Sequence, residues 1–197
     1  MNGAQPRQRA HLRGFTLVEL LVTVAILGIL AGVSLVAYSR TWRAERVKAA
    51  SRETAAWLDE VRRVAIQKAT PCRIRVDRDL KQLSLDPNPL NSSEFCGSAL
   101  YATLNLPSKL QNSNDLLLCS TDLGENDPAT TALSCSNPQP GSSSVVMTPR
   151  GTAPSGLLIK FHMPEAGADR CVAVMAPLGQ VRSGKTTSTG CDFTSAY

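Results

Sequence analysis

A chain of 197 residues has room for one compact domain beside a membrane helix. Its net charge is +5, but the first 14 residues hold Arg7, Arg9 and Arg13 and no acid, so the rest of the chain sets 18 basic against 16 acidic residues, net +2. Beyond residue 69 there are ten basic and eleven acidic residues, which excludes a general basic field of the kind that gathers nucleic acid.

Residues 1–14 read as a short polar leader ending in Gly14. Its arginines keep the N-terminus cytoplasmic by the positive-inside rule, with the remainder of the chain across the membrane. An apolar run follows, from Phe15 to Tyr38, in which Glu19 is the only charge between Gly14 and Arg40. A bilayer-spanning helix needs about 20 apolar residues, and residues 15–38 supply them. A carboxylate at the centre of such a helix costs roughly 2.5–3.5 kcal/mol on insertion scales, so Glu19 calls for a functional reading. A cleavable secretory signal fits poorly: the run exceeds the usual ~7–15 apolar residues, and Glu19 interrupts its start. Within the run, Gly28 and Gly32 make a G-x-x-x-G pair beside Ala25. That spacing either lets helices approach closely in lipid or reflects ordinary transmembrane composition.

The run Gly14-Phe15-Thr16-Leu17-Val18-Glu19 resembles the class III signal of type IV pilins and pseudopilins. The resemblance implies that a prepilin peptidase cuts between Gly14 and Phe15 and N-methylates the new Phe15 amine. It also implies that the helix later packs into a filament core with other major and minor pilins or pseudopilins. The physics of the motif is separable from the resemblance. After cleavage Phe15 carries a positive amine at a helix N-terminus, and Glu19 lies about 6 Å along the axis, where a negative group favours the helix dipole. In a packed filament Glu19 could instead meet the Phe15 amine of a neighbour, neutralising two charges in an apolar medium and setting the register of the incoming subunit.

From Thr41 to Ala69 there is neither Gly nor Pro. Val47, Ala50, Thr54, Trp57, Val61 and Val64 recur at three- and four-residue steps, one stripe of an amphipathic helix that Leu58 and Ala65 widen. Residues 40–69 carry eight basic and four acidic side chains, with Arg40, Arg43, Arg46, Lys48 and Arg52 crowded at the start. This is a solvated or subunit-facing surface just outside the membrane, or a contact for acidic headgroups or nucleic acid.

Pro71 ends the helix. Residues 72–77 and 82–86 then alternate, predicting two antiparallel strands around a turn at Asp79 with Ile74, Val76, Leu83 and Leu85 inward. Arg73, Arg75, Arg78 and Lys81 would gather on the other side or at the turn. Residues 87–143 are rich in Asn, Ser, Pro, Asp and Gly, and predict only weak strands near 99–104 and 115–119 between long loops. Six cysteines, Cys72, Cys96, Cys119, Cys135, Cys171 and Cys191, all lie beyond the membrane helix. An even number in an oxidising compartment implies disulfides, with 15 possible pairings; the expectation taken is Cys72–Cys96, Cys119–Cys135 and Cys171–Cys191. A zinc site is disfavoured, since no Cys-x-x-Cys spacing exists and His162 is the one histidine after the leader.

The C-terminal third predicts strands at 144–148 and 156–162, a Pro149-Arg150-Gly151 turn, and a closing hairpin of 171–175 with 179–182. This tail resembles the GspH/FimT branch of pseudopilins, which has such a turn, a strand, and a final hairpin ending in a Gly-Arg-x-Arg-like sequence. Some FimT-like members are implicated in DNA uptake through that sequence. Here it reads Gly179-Gln180-Val181-Arg182, one arginine short, followed by Lys185 and a Ser/Thr/Gly tail expected to be flexible. A phosphate-driven site weakens with each lost contact, so DNA binding is expected only through a local patch of Arg182, Lys185 and Arg150. No nucleophile elbow, phosphate loop or metal spacing is present, no cofactor is implied, and His162 is most simply a strand residue. The fold expected is α+β: a long N-terminal helix, with a membrane half (15–38) and an amphipathic half (39–70), packed on a small antiparallel β-rich domain (71–197). The chain would be anchored in the inner membrane by a single pass with that domain in the periplasm, then pass into a pilus or pseudopilus.

Overall fold

The computed structural model describes residues 15–86, 96, 103–106, 116–124, 126–135, 141–164, 166–167 and 169–194; the side chains of 33–37, 39 and 40 are not among them. The leader, including Gly14, and residues 99–102 and 115 of the two expected weak strands lie outside the described residues. Among the described residues one long helix, α1 (Leu17–Lys68), is followed by nine strands, and the chain divides into two compact units between Ser39 and Arg40.

In the first unit the helix is apolar on every side. Leu17, Val18, Leu20, Leu21, Val22, Val24, Ile26, Leu27, Ile29 and Leu30 all stand exposed. A Cβ at Gly28 or Gly32 would meet nothing within 4 Å, so that face is open. Among the described residues no helix is long and apolar enough to cross a membrane.

In the second unit the later part of α1 turns one face inward. Val47, Ala50, Thr54, Trp57, Leu58, Val61 and Ala65 are buried as the stripe predicts, and Val64 is half-buried. The helix stops at Lys68 with a hydrogen-bonded reversal: Ala69 N–H donates to the Ile66 carbonyl and Thr70 N–H to the Ala65 carbonyl, each at 3.2 Å. That pattern needs a left-handed residue after the helix, and Ala69 takes it, at φ 49°.

All strand pairs are antiparallel. The first sheet has the order β3-β2-β1-β5, from β1 (Cys72–Asp77), β2 (Gln82–Leu85), β3 (Thr103–Asn105) and β5 (Ser142–Met147). The β1–β2 hairpin is as expected, with Asp77 Oδ1 accepting the Asp79 and Leu80 N–H groups in the turn. The second sheet has the order β4-β6-β7-β8-β9, from β4 (Leu117–Gly124), β6 (Gly156–His162), β7 (Arg170–Met175), β8 (Gln180–Thr186) and β9 (Cys191–Asp192). Its inner face joins the helix stripe and the first sheet in the main core, through Leu157, Ile159, Phe161, Val172 and Val174. Its outer face has a small core of its own, in which Leu123, Leu158, Cys171, Ala173 and Cys191 are covered by Leu133, Met175 and Phe193. Three disulfides join Cys72–Cys96, Cys119–Cys135 and Cys171–Cys191, with Cα separations of 5.2, 5.7 and 6.1 Å, the same pairs expected from the sequence.

Two expectations for this unit are corrected. The strand expected to end near Cys119 runs on to Gly124, because polar Ser120 and Asp122 serve the seam with β5: Ser120 Oγ meets Ser143 Oγ at 3.0 Å, and Asp122 Oδ1 accepts the Ser144 N–H at 2.9 Å. The tail beyond Lys185, expected to be flexible, is built into the sheet at its described residues: β8 continues to Thr186, Thr187 N–H donates to the Gly190 carbonyl at 2.8 Å, and the chain returns as β9. A Cβ at Gly190 would run into the Pro128 and Ala129 carbonyls, and Cys191 N–H donates to that Pro128 carbonyl at 3.0 Å, so the return strand is held down by the loop over the outer face.

Candidate functional sites

At the start of α1, Thr16 is the N-cap. Its Oγ1 accepts the Glu19 N–H at 3.2 Å, and its carbonyl accepts the Leu20 N–H at 3.2 Å. The helix therefore opens at Leu17, with Phe15 and Thr16 ahead of it, and Glu19 is its third residue. Thr-x-x-Glu is the sequence signature of a helix start, in which a hydroxyl satisfies a backbone donor that has no partner inside the helix. The signal was present in the motif, and Thr16 is the residue it identifies. Glu19 is exposed, in the first turn, where the dipole favours a carboxylate. Phe15 is 80% exposed.

The basic residues of the β domain fall into separate roles. Of the four expected to cluster around β1–β2, Arg75 pairs with Asp86 at 3.0 Å, and the Arg78 guanidinium donates to the Gly141 and Ser120 carbonyls at 3.0 and 3.4 Å. Those two hold structure together and do not form a free patch. Arg73 stays exposed on β1.

Arg182 and Lys185 both lie on β8. The register with β7 is continuous, Lys185 facing Arg170 and Arg182 facing Ala173. Successive side chains of a strand point to opposite faces, so residues three apart cannot share one. Lys185 lies on the main-core face with Arg170 and Asp192 opposite it, whereas Arg182 lies on the outer-core face, exposed. The structure thus does not bring these two cations together on one face.

Arg150 is exposed at the tip of the Pro149–Gly151 turn. That turn is clamped from the helix: Arg62 Nε–H donates to the Gly151 carbonyl at 2.7 Å, and Arg62 Nη2 reaches the Leu178 carbonyl at 3.4 Å. Gly151 has φ 74°, and a Cβ there would sit 2.7 Å from Ile66 Cδ1. Gly179, at φ 63°, lies so close to the Gly151 carbonyl and Thr152 that a side chain has no room. The two glycines of the tail sequence are therefore explained by packing of the β7–β8 turn on the Pro-Arg-Gly turn, with Ala153 N–H donating to the Pro177 carbonyl at 3.1 Å.

His162 is tied into the fold. Asp169 takes His162 Nδ1 at 2.7 Å with one oxygen and Lys160 Nζ at 2.9 Å with the other, which fixes the loop between β6 and β7. No group of His, Cys, Asp and Glu that could hold a metal ion occurs among the described residues.

Residues 9–35, which include the capped helix start and its single early carboxylate, match the prokaryotic N-terminal methylation motif. The chain is similar to the minor pseudopilin EpsH from the type 2 secretion system of Vibrio cholerae, at 12% identity and a TM-score of 0.48, covering 71% of this chain and 97% of that one. It is also similar to the type IV minor pilin FimU of Pseudomonas aeruginosa PAO1 in two crystal forms, both at 15% identity. One gives a TM-score of 0.44 over 78% of this chain and 96% of that one. The other gives 0.43 over 76% and 98%. Comparison with curated proteins gives no match.

Proposed function

We propose that this chain is a GspH/FimT-like minor pilin or pseudopilin, a structural subunit of a type IV pilus or a type II secretion pseudopilus. Prepilin peptidase cuts between Gly14 and Phe15 and methylates the Phe15 amine. Residues 15–38 hold the subunit in the inner membrane, with the disulfide-bonded domain in the periplasm, until it is drawn into the filament among other pilins. The observation that carries this reading is the first unit of α1. It exposes apolar side chains on all sides and holds one carboxylate in its first turn. A helix that is hydrophobic all round needs an apolar environment, lipid or the core of a helical assembly. Glu19 then has a task in that environment: pairing with the Phe15 amine of a neighbour, which places the subunit axially. The work is assembly and not chemistry.

Two variants test it. Glu19→Ala should insert and be cleaved normally yet be missing from sheared filaments; incorporation at the wild-type level removes the role given to Glu19. Gly14→Leu should leave the protein at its precursor mass, and a normal mature mass for this variant contradicts the cleavage site. A DNA-uptake role through Arg182, Lys185 and Arg150 has less to support it, because two of the three cations lie on opposite faces of one strand.

A further inference from the structure

We propose that the outer edge of β8 is a strand-addition site that takes an extended segment of another protein chain, one alternating carboxylates with β-branched apolar residues. β8 runs Gln180–Thr186, but β9 covers it only at Lys185 and Thr186. Thr186 N–H donates to the Asp169 carbonyl on the β7 side, and directly opposite antiparallel residues alternate between bonded and non-bonded pairs. Even-numbered residues of β8 thus spend their backbone groups on β7, and odd-numbered ones point theirs outward. At Lys185 the outward groups meet β9. At Val181 and Ser183 no strand meets them among the described residues, within which two N–H and two C=O groups line an open edge.

An open edge is a template for another strand, and the side chains on it select the occupant. Gln180 and Arg182 stand exposed on one face, and Arg182 makes no ion pair among the described residues. Val181 and Ser183 are half-buried on the other face, where Val181 packs against the main core. Arg150 stands on the turn that abuts Gly179, at the Gln180 end of the edge. A second copy of β8 laid antiparallel would bring Arg182 against its own counterpart, and like charges across strands are destabilising. A strand with carboxylates at every second position sets them against Arg182, while its intervening Val or Ile side chains extend the apolar face of Val181. This edge serves such a partner whether or not the subunit enters a filament, so the inference stands apart from the assembly reading.

The test uses the full-length chain, disulfides formed, in detergent micelles. The probe is the labelled peptide acetyl-Thr-Val-Glu-Val-Glu-Val-Thr-amide, read by fluorescence anisotropy, with hydrogen exchange at the Val181 and Ser183 amides as a second readout. The peptide should bind and should slow exchange at those two amides. Ser183→Pro removes one outward donor that the fold does not use and should weaken binding about tenfold. Arg182→Glu, at an exposed position, should weaken it similarly and instead accept the peptide with Lys in place of Glu, which keeps the test decisive if the proline variant does not fold. No binding at millimolar peptide overturns the proposal, as does equal binding of the Lys peptide to the wild-type chain. So does stronger binding of a single-stranded oligonucleotide that is lost in Arg182→Glu and intact in Ser183→Pro, which would make Arg182 a phosphate contact.

Discussion

Ala69 turns left-handed where glycine is the usual residue. A left-handed conformation costs an L-residue with a Cβ roughly 1–2 kcal/mol, offset in part because glycine loses more freedom on folding. Ala69→Gly should therefore raise the stability of the oxidised domain by about 0.5–1 kcal/mol, read as a shift in the urea midpoint with unchanged slope. A loss of stability would mean that the methyl group contributes packing beyond what its exposure shows. Pro71 signals the end of the helix from sequence, but the reversal happens two residues earlier, and no residue type there announces it. At the other end the Thr16-x-x-Glu19 cap was legible. Glu19 serves that cap through its backbone N–H, which Thr16 Oγ1 accepts.

Elements with a clean apolar period were legible, and those built on polar seams were not. The amphipathic stripe of α1 and the β1–β2 hairpin follow from spacing alone, because each buries one face. β4 escapes such reading because its polar residues face another strand and not water. Ser120 and Ser143 are both buried and bonded to one another. Ser120→Ala should cost about 1–2 kcal/mol by stranding the Ser143 hydroxyl, and the double change to alanine should cost less than the two single changes added together. Additive losses in urea unfolding would show that each hydroxyl finds a different partner. β8 is a third case. The spacing of the tail predicts the hairpin, but only the register shows that Arg182 and Lys185 face apart. A motif written as a string suggests adjacency that a strand's pleat removes.

On the scale of the whole chain, the two units face different demands. In the first, the described apolar side chains stand exposed, and a helix that is apolar all round calls for an apolar environment. The second carries its own core and three covalent links. The Cys171–Cys191 disulfide ties β7 to β9 across β8, closing a loop with a sequence separation of 20. On chain-entropy grounds such a loop contributes about 3 kcal/mol. Cys171→Ala with Cys191→Ala should lower stability by about that amount. It should also free β9 first, seen as faster amide exchange at Lys185 before the rest of β8; simultaneous exchange across the sheet would contradict this.

The position of β1 has a mechanical consequence. It follows the helix after a connection of only a few residues, and it lies inside its sheet, hydrogen-bonded to β2 on one side and β5 on the other. Its first residue, Cys72, is also covalently tied to Cys96. Tension entering the domain from the helix would therefore load two ladders in parallel, as shear along their length, and could not peel an edge strand one bond at a time. Once the buried stripe of the helix has given way, any subunit held by its N-terminal helix and dragged by its domain meets that geometry, and the strand then placed to receive the pull is one that cannot be unzipped from an edge.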